Sequence, residues 1–386
     1  MRKAQQTDMG KIRVGILFGG KSAEHEVSLQ SARNVYDAID RSRYEPVLIG
    51  IDKTGRWFLN DASRFLLNPE DPKRISLKPG GEPVTLVPRS GGALSGLGVF
   101  REAGHVDVIF PILHGPFGED GTVQGLLKLA DIPFVGSSVL GSAVGMDKDV
   151  MKRLLRDSGI PIGKFLVFRS HEAAPSFGEV KKILGMPIFI KPANMGSSVG
   201  ISKVHNEDEF YRAVAEAFQY DAKIILEEFI EGRELECAVL GNEAPAASVP
   251  GEIISSHEFY SYDAKYLDKN GAALVIPANL DEMTKKKVRE LAIKTFQVLD
   301  CRGLSRVDFF LRNGEAGASA GPGRSVEGRI IVNEINTMPG FTRISMYPKL
   351  WEASGVGYTE LISRLIDLAL EEFEREKRLK TSYEKF

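Results

Sequence analysis

Carboxylate, amide and guanidinium side chains recur at alternate positions in two apolar segments near the end of the chain. Arg306 and Asp308 lie two residues apart in the first segment, and Glu334 and Asn336 lie two residues apart in the second. Because side chains alternate between the faces of a strand, each pair shares one face. If the two faces coincide, two carboxylates and an amide oxygen converge, a ligand set typical of Mg²⁺ or Mn²⁺. The alternative is a structural salt bridge with Arg306.

Two further segments have the composition of a nucleotide site. Residues 191–200 (KPANMGSSVG) follow an apolar run and supply a lysine, serine hydroxyls and glycine backbone, which are the groups that hold polyphosphate. A plain turn between strands is the alternative. Residues 225–234 (ILEEFIEGRE) end an apolar run in carboxylates, an aromatic and a glycine. Such a segment could hold a purine and its ribose, and the alternative is a solvated acidic turn.

One further segment matches a phosphate-binding pattern, but we reject this match. Residues 15–22 (GILFGGKS) fit the Walker A spacing letter for letter. In a P-loop the strand precedes the first glycine, whereas here Ile16–Phe18 continue an apolar strand that begins at Ile12. We expect Gly19 and Gly20 instead to form the turn at the carboxyl end of that strand, where open α/β sheets bind ligands.

Composition limits the class of protein. The chain has 386 residues, which predicts two or three domains, and its 50 Lys+Arg against 52 Asp+Glu give a net charge of −2 that does not suggest a nucleic-acid partner. No apolar run is long enough for a membrane span. The first ten residues (MRKAQQTDMG) lack an apolar signal segment, and two distant cysteines fit no disulfide framework or zinc site. We therefore expect a cytoplasmic protein with no membrane partner.

The elements that must position these residues alternate between strands and helices, which predicts an α/β fold. Residues 52–104 are rich in Pro, Gly and Ser and are predicted to be irregular apart from short strands, and 314–328 is predicted to be a disordered hairpin tip. The predicted strands are 12–18, 46–51, 106–113, 133–135, 165–168, 187–191, 224–227, 235–240, 253–254, 306–311 and 330–336. The predicted helices are 26–39, 122–130, 147–158, 206–218, 281–299 and 358–378.

Five motifs in order resemble those of the D-alanine–D-alanine ligases, which are ATP-grasp enzymes, and the resemblance covers about residues 11 to 370. The motifs are 19–28 (GGKSAEHEVS), 113–122 (LHGPFGEDGT), 145–148 (GMDK), 191–200 and 333–342 (NEINTMPGFT). The resemblance implies three domains: a doubly wound, Rossmann-like domain at 1–137, and two ATP-grasp subdomains at 138–227 and 228–386. It also implies that ATP and two D-alanines give D-alanyl-D-alanine for peptidoglycan, with ADP and phosphate released and a D-alanyl phosphate as the intermediate.

The resemblance also implies roles for individual residues. Two Mg²⁺ or Mn²⁺ ions would be held by Asp308, Glu334 and Asn336. Residues implied to contact ATP are Lys148, Lys191, Gly196, Ser198, Glu227, Glu228, Phe229, Ile230, Glu234, Phe259, Lys265, Phe310 and Asn333. Glu228 stands where some family members carry lysine, so recognition of the base stays open.

The remaining implied roles concern the amino acids. Glu24 would hold the ammonium of the first D-alanine, with His114 close to the acyl centre. Arg306 and the Gly340 N–H would form an oxyanion hole, and Ser345 would bind the second carboxylate. Glu24, Ser197 and Tyr266 would form a hydrogen-bonded set over the substrates.

Other functions remain open at this point. A D-alanine–D-lactate ligase has the same fold, although the family resemblance links Tyr266 to D-alanine as second substrate. A P-loop phosphotransferase and an inactive ATP-grasp binding module are the alternatives from other classes. The family resemblance further implies a homodimer.

Overall fold

The computed structural model describes residues 10–61, 65–71, 74–96, 102–255, 272–312, 330–380 and 382–383. Within these residues the strands form three large β-sheets and one small two-stranded sheet. The predicted hairpin tip at 314–328 lies outside the described residues, and so do Phe259, Lys265 and Tyr266. No helix in the described part of the chain is both long enough and apolar enough to cross a bilayer.

The first sheet has seven strands in the order β8-β7-β6-β3-β2-β1-β9, and its central strands β2, β1 and β9 are parallel. The elements of this part of the chain are β1 (Ile12–Gly19), α1 (His25–Ala38), β2 (Tyr44–Ile51), β3 (Trp57–Asn60), β4 (Leu66–Leu67), β5 (Ser76–Leu77), β6 (Glu82–Leu86), β7 (Ala93–Gly96), β8 (Glu102–His105), β9 (Val108–Ile112), α2 (Thr122–Leu129), α3 (Val139–Met146) and α4 (Lys148–Asp157).

Strand β1 is buried on both faces, as its continuous apolar run predicts. Ile16 and Phe18 pack in the core that contains α1, while Leu17 packs in a separate core on the other face with α2. Helices therefore cover both faces of the parallel strands, which confirms the doubly wound arrangement. Gly15 lies inside β1, paired with Val47 on one side and Ile109 on the other, so it cannot begin a phosphate loop.

Residues 52–104 contain short strands, as predicted, but they are more regular than the prediction of a largely irregular segment. Strands β3, β6, β7 and β8 extend the first sheet by antiparallel pairing beyond β2, and β4 pairs with β5. These strands have two to five residues each, so their hydrophobic alternation is too short to stand out among turn residues. Strands β3, β6, β7 and β8 form backbone hydrogen bonds within the first sheet, and this long-range pairing is not visible in their local sequence.

The second sheet is antiparallel and has the order β10-β13-β11-β12. Helices α5 and α6 pack against it around Ile188, Ile190 and Phe210. Asn206 caps α6 by accepting the Glu209 N–H at 3.0 Å. Its elements are β10 (Phe165–Arg169), α5 (Phe177–Leu184), β11 (Ile188–Pro192), β12 (Ser202–Val204), α6 (Glu207–Ala217) and β13 (Lys223–Glu228).

The third sheet has the order β17-β16-β14-β18-β19, with β15 paired to β14. Val239 and Val307 pack under α7, whereas Ala238 and Leu304 pack with α8, α9 and the first sheet. The N-terminal and C-terminal parts of the chain therefore share one core. The elements are β14 (Gly232–Gly241), β15 (Ala246–Ala247), β16 (Gly251–Ser255), β17 (Ala272–Val275), α7 (Glu282–Val298), β18 (Gly303–Arg312), β19 (Ile330–Asn336), α8 (Met346–Ala353) and α9 (Tyr358–Lys377).

Candidate active site

A cavity of about 1330 Å³ receives side chains from all three large sheets. A cavity of this size can hold a nucleotide together with small substrates. It is lined by the following residues that the sequence singled out: Glu24, His114, Lys148, Lys191, Gly196, Ser197, Ser198, Glu227, Glu228, Phe229, Ile230, Glu234, Arg306, Asp308, Phe310, Asn333, Glu334, Asn336, Gly340 and Ser345. The structure thus brings together every described residue of the predicted site.

The two polar pairs near the end of the chain share one face of the third sheet. Arg306 lies opposite Asn336 and Asp308 lies opposite Glu334 in the antiparallel pair β18–β19. The pairing shifts between Asp308 and Phe309, which leaves Asn333 as the extra residue of a β-bulge. The bulge lets Glu334 join the polar face although Val332 remains buried in the core.

Arg306 is held by two carboxylates. Its Nε and Nη2 donate to the two oxygens of Asp308, each at 2.7 Å, and Glu236 Oε2 lies 3.0 Å from Nε. Burial alone would lower the pKa of the guanidinium, but Asp308 and Glu236 raise it, so Arg306 stays charged. The salt bridge with Arg306, which the sequence offers as the alternative to a metal site, is therefore present.

The same face also fits a divalent cation. Asn336 donates its amide N–H to Asp308 Oδ2 at 3.0 Å, which reserves its amide oxygen for a cation. Within the described residues no group of three or more His, Cys, Asp or Glu side chains could hold a metal. A metal here would therefore need the Asn336 oxygen beside Asp308 and Glu334. Two carboxylates and an amide leave positions for phosphate and water, which suits Mg²⁺.

Three lysines and one carboxylate form the cationic end of the cavity. Glu227 lies between Lys191, whose Nζ is 2.5 Å away, and Lys152, whose Nζ is 2.8 Å away. Burial would raise the pKa of Glu227, but the two ammonium groups lower it to about 2. Burial lowers the pKa of Lys148, whose Nζ donates to the Met195 carbonyl at 2.7 Å. Because Glu227 balances only one of its two lysines, the cluster keeps positive charge for an anion.

The glycine- and serine-rich loop meets the first sheet through Glu24. Ser197 Oγ donates to Glu24 Oε1, and a Cβ on Gly196 would lie 3.0 Å from Glu24 Oε2. Ser197 and Ser198 have φ values of 49° and 61°, a conformation that is unfavourable for residues with a Cβ. Such strain in two successive residues is typical of a loop shaped for a ligand.

His114 and Glu119 lie on the loop after β9 and both contact Met338, which follows β19. His114 Nδ1 lies 3.0 Å from the Met338 carbonyl oxygen, so Nδ1 carries the proton and donates. Its Nε2 lies 3.2 Å from Ser31 Oγ. Burial lowers the pKa of His114, which keeps the ring neutral. Glu119 accepts the Met338 N–H at 3.1 Å and the Gly115 N–H at 2.7 Å. Burial and the charge of Glu24 raise the pKa of Glu119 to about 8.

The segment after Met338 leads into α8. Ser345 precedes the first residue of that helix, and its Oγ accepts the Thr342 N–H at 3.1 Å. A Cβ on Gly340 would lie 3.1 Å from Ser345 Oγ, so the backbone of Gly340 closely approaches the serine hydroxyl. The N–H groups at the start of a helix attract carboxylates.

The opposite end of the cavity lies at the connection between β13 and β14. Glu228 accepts the Lys164 N–H at 2.9 Å and lies 3.3 Å from Arg312 Nη2. The rings of Phe229 and Phe189 lie 6.3 Å apart, and Glu234 lies opposite Phe310 in the β14–β18 pair. These residues offer aromatic surface and carboxylates, as the sequence predicts for a nucleoside.

Three buried charged residues of the cavity were missed by sequence reasoning. Lys152 follows Lys148 by four residues on α4, so helical spacing could have placed both on one face. Glu236 lies two residues after Glu234 on β14, and strand alternation could have placed it beside the site. Glu119 lies within the motif 113–122, but no spacing rule connects it with Met338, because their contact spans 219 residues.

Comparison with known proteins agrees with this geometry. Family models described as the D-ala D-ala ligase N-terminus and the D-ala D-ala ligase C-terminus match residues 13–137 and 154–367. A D-alanine–D-alanine ligase from Oceanobacillus iheyensis is 54% identical over 96% of this chain and 99% of its own length. The chain belongs to the D-alanine–D-alanine ligase family. This result confirms the resemblance and the predicted ATP-grasp fold class.

Solved structures of D-alanine–D-alanine ligase family members share the architecture. The D-alanine–D-alanine ligase from Coxiella burnetii is 37% identical, with a TM-score of 0.80 over 95% of this chain and 96% of its own. The VanG D-Ala:D-Ser ligase from Enterococcus faecalis is 36% identical, with a TM-score of 0.79 over 93% of this chain and 100% of its own. The common architecture therefore serves more than one second substrate.

Proposed function

We propose that this chain is an ATP-dependent D-alanine–D-alanine ligase that supplies D-alanyl-D-alanine for peptidoglycan precursors. The supporting observation is that one cavity is lined both by the buried lysines and by Glu24, Gly340 and Ser345. The names of the relatives point the same way, because the chain is 54% identical to a D-alanine–D-alanine ligase and 36% identical to a D-Ala:D-Ser ligase.

The first half-reaction makes a poor acyl donor reactive. A free carboxylate resists attack by an amine, so the first D-alanine carboxylate attacks the γ-phosphorus of ATP and ADP leaves. Lys148 and Lys191 bind the phosphates and offset their charge. Glu228, Phe229, Ile230 and Phe310 hold the adenine and Glu234 the ribose, with Gly196, Ser198 and Asn333 also contacting ATP. Glu227 contributes chiefly by fixing Lys191.

We further propose that Asp308, Glu334 and Asn336 bind two Mg²⁺ or Mn²⁺ ions. When bound, these ions supply positive charge to the phosphate oxygens. The carboxylates must be ionised to act as ligands. Asp308 also aligns Arg306 through two hydrogen bonds, so one side chain would serve both the metal and the guanidinium.

The second half-reaction forms the peptide bond. Glu24 holds the ammonium of the first D-alanine, and Ser345 with the start of α8 holds the carboxylate of the second. The amine of the second D-alanine attacks the acyl carbon, the bond from that carbon to the phosphate oxygen breaks, inorganic phosphate leaves, and the proton of the amine passes to solvent. Arg306 and the Gly340 N–H stabilise the oxyanion formed in between. Phe259, Lys265 and Tyr266 keep the ATP-binding and substrate-closing roles that the resemblance implies.

The domain division and the assembly are part of the same proposal. The three large sheets support boundaries at 1–137, 138–227 and 228–386, with ATP between the last two units. We propose a homodimer that works in the cytoplasm, where ATP is supplied. Its substrates would be two D-alanines and ATP.

Product analysis tests the activity. With ATP, Mg²⁺ and D-alanine we expect equal amounts of ADP, phosphate and D-alanyl-D-alanine, whereas L-alanine should give none and Glu334→Gln should be nearly inactive. D-Lactate and D-serine compete with D-alanine in separate arms at neutral pH. Preferential formation of the depsipeptide or of D-alanyl-D-serine would reject D-alanine as the second substrate. Lys21→Ala should leave ATP binding unchanged, because Gly15 lies inside β1 and cannot begin a phosphate loop. Loss of ATP binding in this variant would instead favour a P-loop enzyme.

A further inference from the structure

Met338 is held at both of its backbone polar atoms by one loop of the N-terminal unit. Glu119 accepts its N–H at 3.1 Å, and His114 donates to its carbonyl oxygen at 3.0 Å. Glu119 and His114 both belong to the loop that joins β9 to α2 and are almost fully buried. The backbone of Met338 is therefore fixed from outside the sheet that carries it.

The position of Met338 determines that of Gly340, because only Pro339 lies between them. Proline has no backbone N–H and a fixed φ. Pro339 therefore donates no backbone hydrogen bond and adds little conformational freedom between Met338 and Gly340. The next backbone N–H after that of Met338 is the N–H of Gly340. A displacement of Met338 is thus passed almost rigidly to the N–H that the proposed function places at the oxyanion.

The loop that presents Glu119 is itself rigid. The Glu119 N–H donates to the Gly115 carbonyl at 2.9 Å, and Gln124 Nε2 donates to the Gly118 carbonyl at 2.7 Å. A Cβ on Gly118 would lie 2.5 Å from the Leu113 carbonyl oxygen, so the chain turns too tightly there for another residue. A side chain on such a loop can hold a distant segment in place.

A carboxyl group suits this position because it provides two acceptor oxygens in one side chain. One oxygen takes the Gly115 N–H of its own loop and the other takes the Met338 N–H. Glutamine offers one acceptor oxygen, and its amide nitrogen would face the second N–H donor. Aspartate retains two oxygens but is one methylene shorter.

We propose that Glu119 is a positioning residue that sets the place of the Gly340 N–H, and through it the rate of peptide bond formation, by holding Met338. The inference rests on the proposed function, since it assumes that Gly340 stabilises the oxyanion of the second half-reaction. It predicts that loss of Glu119 slows aminolysis more than phosphorylation.

Separate measurement of the two half-reactions tests this role. Purified wild type, Glu119→Gln and Glu119→Asp are given ATP, Mg²⁺ and D-alanine, and ADP and dipeptide are counted. Reactions quenched in denaturant are then treated with hydroxylamine, which converts D-alanyl phosphate into the hydroxamate with release of phosphate. A misplacement of about 1 Å costs about a hundredfold in rate, so we expect dipeptide formation to fall by about that factor. Because D-alanyl phosphate that escapes aminolysis accumulates or is hydrolysed by water to D-alanine and phosphate, ADP and hydroxamate per dipeptide should rise, and the KM for ATP should stay unchanged.

Asp120→Asn is the matched control, because it removes a neighbouring carboxylate of the same loop that, within the described residues, accepts only the N–H groups of Phe117 and Thr122 and does not contact Met338. It should lower the melting temperature and keep the wild-type ratio of ADP to dipeptide. The inference is overturned if both Glu119 variants keep the wild-type ratio of ADP to dipeptide. A fall of ADP and dipeptide by one common factor, as in a loss of folded protein, counts as such an outcome. If the wild type itself releases no ADP with D-alanine, the proposed function fails rather than the role of Glu119.

Discussion

Replacing Glu227 by glutamine removes the one carboxylate that separates two buried lysines. The side chains of Lys152, Lys191 and Glu227 are each no more than about one-eighth exposed. The carboxylate lies 2.8 Å from the first ammonium and 2.5 Å from the second. Glutamine has the same shape but no charge, so Glu227→Gln leaves both ammonium groups buried without the carboxylate that contacts them.

The expected cost follows from the pKa of Glu227. A fall from the ordinary value of 4.5 to about 2 is worth about 3 kcal/mol, at about 1.4 kcal/mol for each pKa unit. Measured losses of one partner from buried ion pairs are about 3–5 kcal/mol, which agrees. Because the folded-state pKa is the lower one, this stabilisation is fully present above pH 4.5. It is lost as the pH falls through about 2.

The assay is urea unfolding followed by far-UV circular dichroism at pH 7 and at pH 4. At pH 7 the free energy of unfolding of Glu227→Gln should be about 3 kcal/mol lower than that of the wild type. At pH 4 this difference in the free energy of unfolding should begin to narrow. Glu227→Gln should also raise the KM for ATP, because Lys191 loses the carboxylate that holds its ammonium group in place. Adding Lys152→Met should recover part of the stability by removing one unpaired ammonium. The exposed Glu216→Gln is the control, and equal unfolding of the two glutamine variants would refute the reasoning.

Three further predictions test other parts of the structure. In Gly15→Ala the new Cβ would lie 2.6 Å from Ile109 Cδ1, so we expect a loss of about 1–3 kcal/mol in urea unfolding with an unchanged KM for ATP. Burial raises the pKa of Cys237 and Cys301 to about 12, so a thiol reagent such as DTNB should label neither cysteine in the folded protein at pH 8 and both in urea. In Glu334→Gln, which should be nearly inactive at the Mg²⁺ concentration that saturates the wild type, the Mg²⁺ concentration for half-maximal ADP release should rise about tenfold or more, since a ligating carboxylate is lost.

The sequence predicts those parts of the fold that local periodicity determines. The buried strand β1 and the helices α4 and α6 follow from residues within a few positions of each other. Strand alternation also predicts that Arg306 and Asp308 share a face. Whether that face coincides with the face of Glu334 depends on the register of β18 and β19 and on the bulge at Asn333. Neither the register nor the bulge is encoded within one strand. The sequence therefore predicts the metal site only on the condition that the two faces coincide.

The contacts that complete the site are those that local reasoning cannot find. Ser197 meets Glu24 across 173 residues, and Glu119 meets Met338 across 219. Such pairs form only after three sheets have packed together, and no spacing rule connects their members. Lys152 is an intermediate case, because helical spacing places it beside Lys148 but does not reveal Glu227 as its partner.

The origin of the side chains suggests how the architecture can serve different second substrates. The lysines and Glu227 at the phosphate end come from α4 and the second sheet, whereas Glu24 and Glu119 at the amino-acid end come from loops of the first sheet. Under the proposed function, a change in the amino-acid end need not disturb the buried charge balance that binds ATP. A D-Ala:D-Ser ligase with a TM-score of 0.79 to this chain is consistent with that separation. Because Glu119 reaches across to Met338, a change at Glu119 should alter the peptide-forming step before it alters the use of ATP.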